Sequence, residues 1–165
     1  MTDPLTPADL AAFMQARGIP GEILHLDVPT PTVETAAAAL GCSPEQIVKS
    51  ILFLVRGEPR LAVTCGRQHV EKRALAAQAG VGRKQVSLAD GDTVLAVAGY
   101  PVGAMPPFGH RQPLPTLLDP SVLAHAVVYA GGGSDSALLK ITSQTIRDVS
   151  AATVLALHAL PQDGE

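Results

Sequence analysis

The sequence predicts an α/β (α+β) fold in which one mixed, mostly antiparallel sheet is surrounded by helices. Two observations lead to this class. Short runs with strand composition are interspersed with alanine-rich stretches flanked by helix caps. Turn residues also separate several of these runs by only a few positions, which indicates hairpins. The length of 165 residues predicts a single compact domain over residues 1–165, and the hydrophobic fraction of 47% is sufficient for its core.

The N-terminal part is predicted to form two helices with a strand between them. Thr6, followed by proline, is typical of a helix start, and Gly18 of a helix end. Glu22–Leu26 partly alternates apolar and polar residues and predicts a strand. Its His25 is either a half-exposed strand residue or part of a pocket. The alanine-rich stretch Val33–Leu40, preceded by a threonine cap, predicts the second helix.

A hairpin and two helices are predicted for the middle of the chain. A Ser-x-x-Gln capping box at Ser43–Gln46 predicts one helical turn before an apolar run. This run and the next stretch both have strand composition, and the Gly-Glu-Pro between them predicts a turn. The predicted elements are the strand Gln46–Val55, the turn Arg56–Pro59, the strand Arg60–Cys65, a helix over His69–Ala79 and a helix from Asp90 or Asp92 to Gly99.

The last part of the chain contains an irregular loop, three predicted strands and a closing helix. Glycines and prolines dominate Gly99–Pro113, so neither a helix nor a sheet ladder runs through it. Tyr100, Met105 and Phe108 give this loop side chains to bury, which favours an ordered loop whose glycine amides build a site. The other predicted elements are the strands Leu114–Leu118, Ala126–Ala130 and Leu138–Ile141, the glycine-rich turn Gly131–Ser136, short helical segments after Asp119 and Thr142, and the closing helix Ala151–Leu160.

Composition and motifs argue against several classes of protein. The net charge is −3, Trp is absent and aromatic residues make up 3%, so DNA is not an expected partner. No CxxC pair, zinc-ligand set, Walker loop, Gly-x-Ser-x-Gly elbow or His-Glu-x-x-His occurs, and neither a metal nor a cofactor is predicted. No apolar run approaches the roughly 18 residues of a membrane span, so a soluble, cytoplasmic protein is expected. The basic residues Arg67, Lys72, Arg73, Arg83 and Lys84 are interpreted as a solvated face in preference to an RNA contact.

Lys49 is the strongest candidate for a functional residue, because it interrupts an apolar strand. Alternation along Gln46–Val55 places it on one face with four apolar side chains. An unpaired buried charge is costly, so the lysine either extends past the strand end to solvent or points into a cavity. Beside glycine amides it can serve as an electrostatic anchor, as an acid–base group whose pKa is lowered by burial, or as a Schiff-base lysine. Amide donors stabilise a carbonyl oxygen that gains charge, which favours attack on an ester.

Several stretches of the sequence resemble one protein family, and their order and spacing along the chain also match it. Ile47–Phe53 resembles the lysine strand of the YbaK/ProX family, the aminoacyl-tRNA editing domains associated with prolyl-tRNA synthetase. Gly99–Gly109 is similar to that family's Gly-x-x-x-Pro loop, here Gly103 to Pro107. The other matching stretches are Thr35–Gly41, His69–Leu75, Leu118-Asp119 and Gly131–Gly133, so the resemblance extends from about Leu5 to Leu160.

The resemblance implies a freestanding deacylase that hydrolyses the ester of a mischarged tRNA, with tRNA(Pro) carrying cysteine or alanine as the expected substrate. It implies that water is the nucleophile, assisted by the terminal ribose hydroxyl, and that Lys49 and the backbone amide of Gly103 are the catalytic groups. The expected partners are the acceptor end of aminoacyl-tRNA and prolyl-tRNA synthetase. The candidate substrate-binding residues are His25, Met105, Pro107, Phe108, Gly131, Gly132, Ser134 and Asp135.

Departures from the family pattern leave an alternative open. Family members often have Ser or His where this chain has Ala130, and an acid where it has Ala137 or Leu138. The resemblance implies that these positions help to select the amino acid. The departure at Ala130 and the net negative charge keep a non-catalytic tRNA- or synthetase-binding module of the same fold as the alternative. His110 and Arg111 are interpreted as a solvated loop tip in preference to a phosphate contact.

Overall fold

The helices begin and end close to the predicted caps. The computed structural model describes residues 3–158. Asp9 accepts a hydrogen bond from the Thr6 amide at the start of the first helix, and Gly18 ends that helix in the left-handed conformation. Within residues 3–158 the α-helices are α1 (Pro7–Arg17), α2 (Val33–Leu40), α3 (Lys72–Ala79), α4 (Gly91–Ala98) and α5 (Ser143–Ser150), with 3₁₀ turns at Pro44–Gln46, Arg83–Gln85 and Pro120–Ala124.

The strands form two sheets instead of the predicted one, while the α/β class is confirmed. The described strands are β1 (Glu22–His25), β2 (Val48–Val55), β3 (Glu58–Cys65), β4 (Val86–Leu88), β5 (Thr116–Leu118), β6 (Val127–Ser134), β7 (Ala137–Thr142) and β8 (Thr153–Val154). The first sheet is antiparallel with the order β1-β7-β6. The second has the order β4-β2-β3-β5-β8, in which β5 and β8 join in parallel. Among residues 3–158, one isolated parallel bridge, Ile47 to Tyr129, connects the two sheets.

Strand β2 lies between two apolar clusters, which explains why its sequence is almost continuously hydrophobic. Leu52 packs into the larger cluster, formed with α1, α4 and both sheets. Phe53, on the opposite face, packs with Leu75 of α3 in the second cluster. Burying side chains of this size contributes about 1.5–3 kcal/mol each, so both faces of β2 stabilise the fold. A third, smaller cluster contains Val33 of α2 and Leu138 of β7.

The predicted closing helix Ala151–Leu160 is wrong over its described part. Ala151 takes a φ of 52° and ends α5, after which β8 pairs with β5. The buried carboxylate of Asp119 accepts hydrogen bonds from the Leu157 amide at 2.7 Å and from Nδ1 of His158 at 2.8 Å. These tertiary bonds hold the segment extended, against its helix-like apolar pattern. Residues 159 and 160 lie outside the described part of the chain.

The predicted turns also differ in detail from the observed ones. The hairpin between β2 and β3 turns on Arg56 and Gly57, both with positive φ, as in a two-residue type I′ loop. The glycines of the predicted turn Gly131–Ser136 are part of β6, and the chain reverses at Asp135 and Ser136. Strand β4, which is three residues long, is not predicted, and α3 begins at Lys72 instead of His69. None of the helices in residues 3–158 is long and apolar enough to cross a bilayer.

Candidate functional site

A cavity of about 310 Å³ lies along one edge of β2. On this side, Ile47, which precedes β2, makes the bridge to Tyr129, and β2 pairs with β4 only from Phe53 onwards, so the edge between these two positions is open. The cavity occupies that gap. Its lining comes from the start of α2, from residues 47–52, from the end of β4 with Ala89, and from Val94, Val102, Gly103, Met105, Gly131 and Leu138.

The open edge presents backbone groups of β2 to the cavity. The Ile47 carbonyl accepts from the Gly66 amide on the β3 side, and the Leu52 carbonyl accepts from the Ala89 amide on the other side, at 2.9 and 3.0 Å. Successive residues of a strand direct their N–H and C=O groups to opposite neighbours. Ser50 therefore directs both groups away from β3 and towards the cavity. An uncovered strand edge of this kind is a hydrogen-bonding surface for a ligand.

Lys49 lies at this open edge with an exposed side chain. Its exposure does not provide the burial that an acid–base role would need, whereas an anchoring role does not require burial. The hydrogen bond from Arg67 lowers the pKa of the Glu34 carboxyl, and the charge of Lys49 contributes further in the same direction. Glu34 is thus engaged by Arg67, and Lys49 makes no ion pair within residues 3–158. Its ammonium group can bind an anion of a ligand.

Ser50 is a cavity residue that the sequence does not indicate. It lies on the opposite face of β2 from Lys49, yet both line the cavity, because the cavity wraps around a free strand edge. The Ser50 hydroxyl is buried and has no hydrogen-bond partner in the described part of the chain. Buried polar groups in native proteins are nearly always paired with protein or with ordered water, so this hydroxyl is available to a water or a ligand group in the cavity.

The glycine-proline loop contributes backbone donors to the opposite wall of the cavity. The Ala104 amide donates to the Pro101 carbonyl at 3.1 Å, and the two prolines have no N–H. Of the stretch Gly103–Pro107, this leaves the amides of Gly103 and Met105, neither of which has an acceptor among residues 3–158. Both residues line the cavity. The loop thus has two amides, two residues apart, that are available as hydrogen-bond donors to a ligand.

Contacts on the far side of the loop hold these amides in place. The Gly133 amide donates to the Ala104 carbonyl at 2.9 Å, and Nε2 of His110 donates to the Pro106 carbonyl at 2.7 Å. The solvated loop tip predicted for His110 is therefore wrong, and burial lowers the pKa of its imidazole. A Cβ on Gly131 would lie 2.4 Å from the Met105 carbonyl oxygen, so glycine is required there for the loop to approach β6.

Four predicted site residues line the cavity: Lys49, Gly103, Met105 and Gly131. Six others do not. Pro107 and Phe108 are buried parts of the loop, Gly132 packs against Ala137, and His25 is exposed at the end of β1. Ser134 is the last residue of β6, and Asp135 belongs to the β6–β7 turn. Phe108 stacks on Phe13, with ring centroids 6.0 Å apart. The Asp135 carbonyl accepts from the Thr30 amide at 2.9 Å and so supports a cavity residue indirectly.

The departures from the family pattern have unequal consequences. Ala130 is fully buried and Ala137 is 1% exposed, and neither lines the cavity. Leu138 does line it, so this wall is apolar where the resemblance predicts an acid. No cluster of three or more His, Cys, Asp or Glu suited to a metal occurs within residues 3–158.

A family model matches most of the chain, and several known proteins are similar to it. Residues 27–149 match the aminoacyl-tRNA editing domain. A proline--tRNA ligase of Nitratidesulfovibrio vulgaris (strain DP4) is 36% identical over 86 residues, which are 50% of this chain but only 15% of that ligase. The uncharacterized protein YwhH of Bacillus subtilis (strain 168) is 25% identical over 134 residues, 81% of this chain and 83% of YwhH. A protein proposed as a trans-editing enzyme for prolyl tRNA synthetase superposes with a TM-score of 0.87 at 27% identity, over 93% of this chain and 97% of that one.

Proposed function

Since the chain belongs to the family of aminoacyl-tRNA editing domains, we propose that it hydrolyses, in trans, the ester bond of a mischarged tRNA. The observation that carries this proposal is that Lys49, Gly103 and Met105 line one cavity, and that the amides of Gly103 and Met105 have no acceptor in the described chain. The relatives and the structural neighbour support tRNA(Pro) as the carrier and prolyl-tRNA synthetase as the enzyme whose errors are corrected.

In the proposed mechanism the protein positions the ester and stabilises charge, and water is the nucleophile. Lys49 binds a phosphate of the acceptor end and so fixes the terminal ribose at the cavity mouth. Water adds to the ester carbonyl carbon, and the amides of Gly103 and Met105 donate to the carbonyl oxygen as it becomes negative. The bond to the ribose oxygen then breaks, and that oxygen takes a proton from the attacking water. The products are a free amino acid and a tRNA with a free terminal hydroxyl.

The proposed acyl group is small and apolar. The cavity lining includes Met105, Leu138, Val94 and Ala36, which give it an apolar surface. The volume of about 310 Å³ would have to hold part of the terminal nucleoside as well as the acyl group. Alanine and cysteine meet both conditions, and a charged side chain would be desolvated without a partner.

A panel of tRNAs, each carrying a different amino acid, tests the proposal. Wild-type protein is expected to hydrolyse at least one small aminoacyl ester, and Lys49→Ala to lose most of that activity. Lys84→Ala is the matched control, because Lys84 is also exposed but lies outside the cavity. The proposal is abandoned when wild-type protein hydrolyses none of the esters, or when the two lysine variants behave alike.

The second candidate is a non-catalytic module that binds tRNA or the synthetase. One observation favours it: among the described residues that line the cavity, Lys49 is the single ionisable side chain, so no side-chain base faces the ester. This candidate predicts tRNA or synthetase binding without turnover on the same panel. Hydrolysis that depends on Lys49 removes it.

A further inference from the structure

Two exposed aliphatic side chains stand at the mouth of the cavity. Nearly all large apolar side chains of the described chain are at least partly buried, and those that are exposed are Val28 (57%), Leu88 (60%), Val102 (65%) and Val127 (36%). The two most exposed, Leu88 and Val102, both line the cavity described above. Their exposure brings no folding energy, because apolar side chains stabilise a protein when they leave water.

Backbone hydrogen bonds fix the positions of both residues. Leu88 is the last residue of β4 and is paired in register with Phe53, and the Ala89 amide next to it donates to the Leu52 carbonyl at 3.0 Å. Val102 occupies a tight turn closed by the bond from the Ala104 amide to the Pro101 carbonyl. Gly103 follows with a φ of 86°, as the third position of a type II turn requires. Val102 is thus presented beside the free Gly103 amide.

We propose that Leu88 and Val102 form a clamp for the base of the terminal nucleoside of the substrate. This inference rests on the proposed function and adds a subsite to it. A nucleobase is flat and uncharged, so both of its faces can be covered by aliphatic side chains, while its polar edges stay in solvent. The nucleotide that carries the base also carries a phosphate, which suits Lys49 in the same cavity.

The Lys49 ammonium group favours a nucleotide over an apolar peptide as the ligand of this clamp. A peptide side chain placed between Leu88 and Val102 would leave the Lys49 ammonium group without a partner. A nucleotide uses the clamp and the ammonium group together, because it combines a base with a phosphate. The acyl group on the ribose then reaches the amides of Gly103 and Met105.

Binding of a stable substrate analogue tests the clamp without requiring turnover. The probe is a 3′-alanylamino-adenosine 5′-phosphate, in which an amide replaces the ester. Leu88→Ser and Val102→Ser are each expected to weaken its binding about five- to tenfold, the size expected for the loss of one apolar contact. Val28→Ser is the matched control, because Val28 is equally exposed but lies outside the cavity lining, and it is expected to bind the probe like wild type.

A second probe, in which the adenine is absent and the ribose, phosphate and alanyl amide are kept, assigns the effect to the base. The clamp predicts that wild type and the two serine variants bind this abasic probe equally. Equal weakening of both probes overturns the proposal, because the variants would then have disturbed the loop or strand instead of a base contact. Hydrolysis of none of the mischarged tRNAs, together with base-dependent binding, would refute the proposed function and leave the clamp standing.

Discussion

The two halves of β2 have different roles, although they form one uninterrupted strand. From Phe53 to Val55 the strand is paired on both sides, with β3 and with β4, and its side chains fill two apolar clusters. From Val48 to Ser50 it is paired with β3, while its other edge faces the cavity. We expect stability to depend on the half where pairing is complete, and propose that ligand binding depends on the half where it stops. The fold therefore creates its site by ending β4 early.

Substitutions in the two halves should separate stability from activity. Phe53→Ala is expected to cost about 3–5 kcal/mol of unfolding free energy, because Phe53 is 4% exposed within its cluster. Lys49→Ala should change that free energy by less than about 0.5 kcal/mol, because its side chain is exposed and unpaired in the described chain. It should reduce kcat/KM on the preferred ester about ten- to hundredfold, as expected for a lost charged contact. Urea unfolding and deacylation kinetics measure the two effects, and a large loss of stability in Lys49→Ala would contradict this division.

Gly131→Ala should disturb the wall that faces the open half of β2. Its methyl group would lie 2.4 Å from the Met105 carbonyl oxygen, a backbone atom, so the loop must move. We expect a stability loss of about 1–3 kcal/mol and a fall in kcat larger than the change in KM, because the displaced amides are the groups proposed to stabilise the transition state. Gly91→Ala is the control, because no atom lies within 4 Å of its added Cβ, and it should retain activity. A Gly131→Ala protein with unchanged kcat would argue against the role of the loop amides.

Local sequence signals predict the parts of this molecule that local interactions determine. Helix caps such as Thr32 and Gly18 satisfy backbone groups within a few residues, and α1 and α2 have their predicted bounds. The extended segment at Thr153–Val154 could not be predicted in this way, because bonds to Leu118 and Asp119 hold it against its apolar pattern. Such bonds join residues that are far apart in the sequence.

The same distinction applies to the site. Lys49 and Gly103 are evident from the sequence, because a charge in an apolar run and a glycine-proline loop are local anomalies. Ser50, Leu88 and Val102 are ordinary residues in their local context. They become cavity residues because β4 pairs with only part of β2 and because the loop lies across the gap. How far two strands pair is determined by tertiary structure, and it cannot be predicted from the periodicity of the sequence.

Acid should weaken the fold through His110, which supports the loop from behind. Burial lowers the pKa of this histidine below its ordinary value of about 6.5, so the unfolded chain binds the proton more readily than the folded one. The stability that the neutral imidazole contributes is complete above that value and is lost as the pH falls through the lowered pKa. The decrease in unfolding free energy between pH 7.5 and pH 5.5 should be smaller in His110→Gln than in wild type. His25→Gln, at an exposed position, should keep the wild-type decrease.

Two buried hydroxyls, one at the open edge of β2 and one in the paired interior, allow the smallest of these effects to be tested. The side-chain oxygens of Ser50 and Thr64 are both buried without a partner in the described chain, but only Ser50 lines the cavity. Removing an unpaired buried hydroxyl relieves its desolvation cost, so Ser50→Ala and Thr64→Val should each be neutral or stabilising by up to about 1 kcal/mol. Deacylation should fall a few-fold in Ser50→Ala alone, because of these two residues only Ser50 lines the cavity proposed to hold the substrate. Equal activity in the two variants would mean that the Ser50 hydroxyl has no partner in the substrate either, and that the open edge binds through Lys49 and the backbone alone.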